Sequence, residues 1–361
     1  MQESEIKQSS ESKEVGRKIS FFEKFLPVWI ILCMALGIFL SQIIPGIGET
    51  IDSWQIRGIS IPIGICLFLM MYPAMLNIQA SELRKLGKNP KPIILTLVSN
   101  WIIAPIIGLT VAILFLKDAQ LIFAIILLSS SPCTAMVLVW GYLAKGNQEQ
   151  NVITTSVNTI TIIFLYIPVV TLLVFIANVT LEKKIPLDPL ILLISLFLFI
   201  GLPLLLGIVS KKALINTKGE DWFDNIYRPI VSKIAVGALL MTLIVLFSLN
   251  GNILIERPDL LLLVTIPLLI GFAIVVSLNI VITKLAKLNY KEAIITVIIG
   301  SSSHFEIAIA VAVAMYGVGS IAALGTTMGL FWEVPIMLSL VYLGIFLNKR
   351  GFWEHSKVET S

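Results

Sequence analysis

Charge is what this sequence has least of. Asp, Glu, Lys and Arg make up 13% of its 361 residues, against about 25% in a soluble domain. So few charges cannot cover a globular surface. With 57% hydrophobic residues and a mean hydropathy of +0.96, the chain belongs in a membrane. The net charge of +4 is dispersed between apolar runs, so there is no basic patch for a nucleic-acid partner. Three cysteines, Cys33, Cys66 and Cys133, all lie inside apolar segments and outline no disulfide framework. Cys33 and Cys66 read as small buried hydrophobes. No Gly-x-x-x-x-Gly-Lys-[Ser/Thr] phosphate loop is present, and no cofactor is expected. No small-residue cleavage site follows the first apolar run, so residues 1–24 read as a disordered cytoplasmic tail, not a leader.

What the chain does have is apolar runs near the roughly 20 residues a helix needs to cross a bilayer. They fall near residues 25–44, 59–78, 92–116, 120–142 and 151–177, then near 188–209, 230–250, 259–284, 292–315 and 320–347. The expected architecture is all-α and polytopic, with ten transmembrane helices. Orientation follows from Lys and Arg in the short loops. With the N-terminus inside, the outer loops hold Arg57, Lys117, Lys183, Lys184 and Arg257, leaving 21 of the 26 basic residues to the inner segments. The expectation is a multi-pass cell-membrane protein with both termini cytoplasmic.

Two of these runs are interrupted in the middle. Ala124–Tyr142 carries Ser129-Ser130-Ser131-Pro132-Cys133, and Ile294–Tyr316 carries Ser301-Ser302-Ser303-His304-Phe305-Glu306. The serine triplets are offset by 172 positions, and Ile61–Leu67 matches Ile234–Leu240 at an offset of 173. Proline recurs late in each half, at Pro168 and Pro335. Five spans per half is an odd number, so the second half would sit inverted. The expected organisation is a tail (1–24), a first repeat (25–177), a linker (178–187), a second repeat (188–347) and a cytoplasmic C-terminal tail (348–361). Broken helices at membrane depth are tolerated only where the freed backbone is buried in protein or lines a cavity. Paired breaks in corresponding positions point to the binding site of a secondary transporter.

At the first break, Ser131 suits an N-cap and Pro132 the first helical position. Cys133 then falls in the first turn of a new half-helix, where a soft thiolate ligand is favoured; the bland alternative is a small residue packed on a neighbour. Trp140 follows seven residues later, on the same helical face, and either walls the pathway or anchors at the interface. At the second break, Ser303 and Glu306 have the spacing of a capping box, so Glu306 either caps its own half-helix or carries a proton or substrate. His304 is a second proton-carrier candidate or a hydrogen-bonded structural histidine. Glu333 and Asn158 are further polar groups inside spans, where they are costly and so functional candidates. For Asn158, interhelical contact and substrate contact stay open.

These segments resemble the arsenite efflux permeases of the Acr type, within the bile-acid/arsenite/riboflavin transporter superfamily. The resemblance covers nearly all ten runs and is carried by residues 131–140 (SPCTAMVLVW), 305–312 (FEIAIAVA) and 333–338 (EVPIML). It implies two inverted five-helix repeats with broken, crossed fourth and ninth helices, forming panel and core domains. It also implies export of arsenite, with antimonite as a related substrate, by proton antiport. Cys133 matches the family's essential cysteine and metalloid ligand, Glu306 and Glu333 its two glutamates, and Asn158 its fifth-helix asparagine; Thr134 and Trp140 belong to the same motif. The family often has asparagine near the position of His304, so this chain departs there. The expected partners are the metalloid, protons and the bilayer, with an accessory ATPase or a homo-oligomer compatible with the sequence.

A competing expectation is a sodium-coupled organic-anion symporter of the same fold, with an incidental cysteine. A membrane enzyme needs a paired aspartate or Ser–His arrangement at depth; the spans lack paired aspartates, and Ser303 and His304 are adjacent and point to different faces. A simple channel fits poorly with paired breaks and embedded carboxylates.

Overall fold

A computed structural model describes residues 25–353 except 45, 47–49, 51–52, 57–58, 77–88, 135, 183, 257–258 and 318. The expected tail at 1–24, the loop residues Arg84, Lys85 and Lys88, the outer Arg57, Lys183 and Arg257, and the chain end from 354 lie outside the described residues.

Helices dominate. In chain order they are α1 (Leu26–Ile43), α2 (Ile61–Leu76), α3 (Pro90–Phe115), α4 (Ala119–Ser129), α5 (Val137–Leu143), α6 (Gln148–Thr180) and α7 (Pro189–Lys218). They continue with α8 (Arg228–Glu256), α9 (Asp259–Leu285), α10 (Tyr290–Ser301), α11 (Phe305–Tyr316) and α12 (Ile321–Lys349). A two-residue hairpin, Gln55–Ile56 with Ile59–Ser60, precedes α2. Six helical stretches are long and apolar enough to cross a membrane: those at α3, α6, α7, α8, α9 and α12. Large apolar side chains such as Leu114, Phe164, Phe175 and Val179 are exposed on the outside. A soluble surface does not tolerate so much of them; the chain is a polytopic membrane protein.

The helices pack in two groups. In one, α8 lies along α1 and α2, and α7 packs on α2; in the other, α3 packs on α4 and α9, α9 on α10, and α12 on α4 and α11. The groups meet where α11 packs on α7 and α2, and where α12 meets α1. The second group holds the interrupted segments.

Both expected interruptions are present, but their chemistry differs from the local reading. After α4, the backbone stays non-helical through Ser130, Ser131, Pro132, Cys133 and Thr134, and α5 begins only at Val137, with Met136 as an N-cap that makes no side-chain bond. Ser131 is therefore not an N-cap and Pro132 not a first helical residue. Instead, the Ser131 hydroxyl donates back to the Leu127 carbonyl at 2.9 Å. Pro132 pairs with Ser303 as an antiparallel bridge, and the His304 N–H donates to the Ser131 carbonyl at 2.6 Å. Backbone groups freed inside a membrane must find protein partners, and each break supplies them to the other. The capping box fails likewise: α11 starts at Phe305, its N-cap His304 makes no side-chain cap bond, and Ser303 and Glu306 each have other partners. Cys133 lies four residues before α5, so the helix-terminus argument does not apply to it and helical spacing does not relate it to Trp140.

Candidate functional site

The crossing of the two breaks brings together side chains distant in the chain. Thr134, next to Cys133, places Oγ1 3.0 Å from His304 Nε2. The other ring nitrogen, Nδ1, lies 2.7 Å from Glu306 Oε2. His304 is 1% exposed, and its bonds on both sides fix the ring between the cysteine-bearing break and the carboxylate. Cys133 is 2% exposed and takes part in no disulfide.

Glu333 reaches the second break from α12. It accepts from the Ser303 hydroxyl at 2.7 Å and from the Ser303 N–H at 3.3 Å. The carboxylate thus closes the backbone that α10 leaves open, and Ser302 donates its hydroxyl to the Ile299 carbonyl. The two buried carboxylates are differently placed: Glu306 bonds the imidazole, and Glu333 bonds the serine.

A third layer comes from α3, where the helix widens by one π-type turn at Ser99–Ile103. Such turns recur at functional sites. Here the turn lets Ser99 donate to the Gly300 carbonyl at 2.8 Å while the neighbouring Asn100 donates to Asn158 Oδ1 at 3.3 Å. From α9, Asn279 donates to the Ser301 hydroxyl at 3.0 Å. Sequence reasoning selected Asn158 and missed Ser99, Asn100 and Asn279; the available signal was the same, a polar residue inside an apolar run.

Trp140 stands apart from this network. It is buried in α5, where Asn151 of α6 donates to the Val137 and Leu138 carbonyls. A Cβ at Gly141 would lie 2.2 Å from Asn151 Nδ2, so glycine is what admits the asparagine there. Ser130 is fully buried at the end of α4. A cavity of about 60 Å³, lined largely by apolar groups, lies beside the crossing between Phe272, Leu128 and Ser301–Ser303; its lining does not include Cys133 or Glu306. Among the described residues no group of three or more His, Cys, Asp or Glu side chains could hold a metal ion.

Two interrupted helices that cross and satisfy each other's backbone at the centre of an apolar bundle define a membrane transporter. Comparison with known proteins gives the family. Residues 64–257 match the sodium bile acid symporter family. An uncharacterized transporter of Synechocystis is 39% identical over 94% of this chain and 92% of its own. The arsenical-resistance protein Acr3 of Alkaliphilus metalliredigens is 34% identical over 94% of this chain and 95% of its own. The protein of the same name in Corynebacterium glutamicum is 28% identical over 95% and 94%. The chain belongs to the sodium bile acid symporter family, and its full-length likeness includes the arsenical-resistance proteins.

Proposed function

We propose that this protein exports arsenite, with antimonite as a related substrate, from the cytoplasm across the cell membrane by proton antiport. Cys133 is the reversible metalloid ligand, and Glu306, with His304 and Glu333, handles the coupled protons. Thr134 and Asn158 complete the substrate surroundings, and Trp140, further along on α5, walls the substrate's pathway. The observation that carries the reading is the bridge between Pro132 and Ser303 on the break that bears Cys133, with Thr134, next to that cysteine, bonded to His304, which in turn bonds Glu306. Trivalent arsenite is an uncharged hydroxide at neutral pH with a soft centre that prefers sulfur. One thiol captures it reversibly, where three would hold it too tightly to release.

In this reading the chain crosses the membrane ten times, as inverted repeats over 25–177 and 188–347 joined at 178–187, with cytoplasmic ends at 1–24 and 348–361. Matching caps and turns support the repeat. Asp118 and Asn289 cap α4 and α10 at an offset of 171, and Asn147 and Ser320 cap α6 and α12 at 173. Between them, Lys145 and Gly317 both take positive φ at an offset of 172.

Everted vesicles test the function. Arsenite accumulation is expected when a pH gradient is imposed and not without it, and Cys133→Ser should reduce it to the level of vesicles lacking the protein while insertion is unchanged. Accumulation by Cys133→Ser at the parental rate would remove the thiol from the site. Uptake that instead followed a sodium gradient, with an organic anion as substrate, would favour the symporter chemistry of the wider family.

A further inference from the structure

We infer that the buried face of α6 supplies a second, hydrogen-bonding half of the substrate site, formed by the hydroxyls of Thr154 and Thr155 together with the amide of Asn158. This rests on the metalloid reading above and extends it from a soft ligand to recognition of the substrate's hydroxyls.

The first observation is that these groups lack partners. Thr154 Oγ1, Thr155 Oγ1 and Asn158 Nδ2 find no hydrogen-bond partner among the described residues, although the three residues are 0%, 5% and 0% exposed. Buried polar groups are bonded in the great majority of cases. The helix itself does not prevent it: Thr159 and Thr161 on α6 donate to the Thr155 and Asn158 carbonyls. Thr154 and Thr155 have the same option one turn back, yet keep their hydroxyls out of the ladder.

The second observation is depth. Asn147 N–H donates to the Lys291 carbonyl and Gln150 Nε2 to Thr296 Oγ1, so α6 and α10 run parallel. Both rise 1.5 Å per residue. Four residues beyond the Gln150–Thr296 contact, Thr154 comes level with Gly300 near the end of α10, and Asn158 reaches Asn100, whose neighbour Ser99 bonds the Gly300 carbonyl. Against α5 the direction is opposite, with Asn151 on the Val137 carbonyl. One turn further along α6, Thr155 lies towards the non-helical break residues 130–134 that precede α5. Asn151, Thr154, Thr155 and Asn158 share one face at helical spacing. That face runs from α5 past the crossing to Asn100 of α3. At the first break, the fully buried Ser130 hydroxyl also lacks a partner among the described residues.

The chemistry matches a trivalent metalloid hydroxide. Capture by the Cys133 thiol forms a sulfur–arsenic bond and breaks one arsenic–oxygen bond, and the thiol proton leaves with that hydroxide as water. Two hydroxyls remain on arsenic, each a donor and an acceptor. Two threonine hydroxyls and an amide N–H are the groups to hold them, and their unbonded state in the protein leaves them ready to do so.

The test uses Thr154→Val, Thr155→Val and the paired variant in full-length protein, with arsenite and methylarsenite uptake into everted vesicles and Tm of purified protein. Valine keeps the shape and removes only the hydroxyl. Arsenite KM should rise roughly 3- to 10-fold per hydroxyl removed, as for one neutral hydrogen bond, with Tm unchanged or raised. Methylarsenite, which has one hydroxyl fewer, should lose less. Thr159→Val, whose hydroxyl is already bonded, should keep parental KM. A paired variant with parental KM in a protein that transports arsenite would overturn this proposal alone. So would a lowered Tm with equal losses for both substrates. A parent that accumulates no arsenite would sink the metalloid reading and this proposal together.

Discussion

His304 has both ring nitrogens engaged, one on Thr134 and one on Glu306. An asparagine there, frequent in the resembling family, has its amide at about the depth of Nδ1 and would meet Glu306 without extending to Thr134. Histidine therefore ties the glutamate to the break that carries Cys133. The Glu306 carboxylate bonds the imidazole and does not cap the start of α11. Glutamine can still accept from or donate to Nδ1 but cannot exchange a proton. Glu306→Gln is expected to insert at parental levels and to show no arsenite uptake above background under an imposed pH gradient. Uptake at the parental rate would take Glu306 out of the coupling step and leave Glu333 and His304 as the carriers.

At the scale of elements, each broken helix is completed by something other than itself. The first break gives its Ser131 carbonyl to His304, and the second gives its Ser303 N–H to Glu333 of α12. The widened turn of α3 brings Ser99 to the Gly300 carbonyl at the end of α10. These bonds replace the ladder that a continuous helix would have had, in a setting where water cannot. Removing the acceptor exposes the dependence. Glu333→Ala leaves the Ser303 N–H and hydroxyl buried without it, at a cost of about 1–3 kcal/mol. A lowered Tm of the detergent-solubilised protein is expected, with Glu333→Gln in between because one acceptor oxygen remains. An unchanged Tm in Glu333→Ala would mean that the break is held by its other contacts.

Across the whole molecule, the two helix groups meet asymmetrically. The half-helix α11 packs against α7 and α2 of the first group, whereas α5 packs on α6, α10 and α12 of its own. The C-terminal end of α12 folds back, placing Trp353 at 1% exposure against Tyr290, with its indole N–H donating to Thr283 Oγ1 at 3.3 Å. Tyr290 in turn donates to the Ala144 carbonyl at 2.7 Å, so one corner of the bundle ties α5, α9, α10 and α12 together. The excess of Lys and Arg in the expected inner loops predicts that this corner faces the cytoplasm. On a Cys33→Ser, Cys66→Ser background, a cysteine at the exposed Lys287 should react with an impermeant maleimide only in everted vesicles, and one at Glu182 in intact cells. The reverse pattern would invert the topology.

Composition and periodicity alone place this chain in a membrane and locate both breaks, because a serine–proline or serine–histidine cluster inside an apolar run has no other economical explanation. The same logic singles out Cys133, Asn158, Glu306 and Glu333, since each is a polar or reactive group in a segment that otherwise excludes them. What local pattern could not supply is partnership. Capping rules assume that a helix end is satisfied by its own neighbours, and they assigned Ser131, Ser303 and Glu306 to caps that do not form. Ser131 instead bonds back to Leu127 and across to His304 of the other break, and Ser303 bonds Glu333 of α12. Glu306 turns to its neighbour His304, whose ring Thr134 of the first break holds. Only the tertiary structure could decide this, because a backbone freed inside a bilayer takes its hydrogen bonds from whichever segment the packing brings beside it.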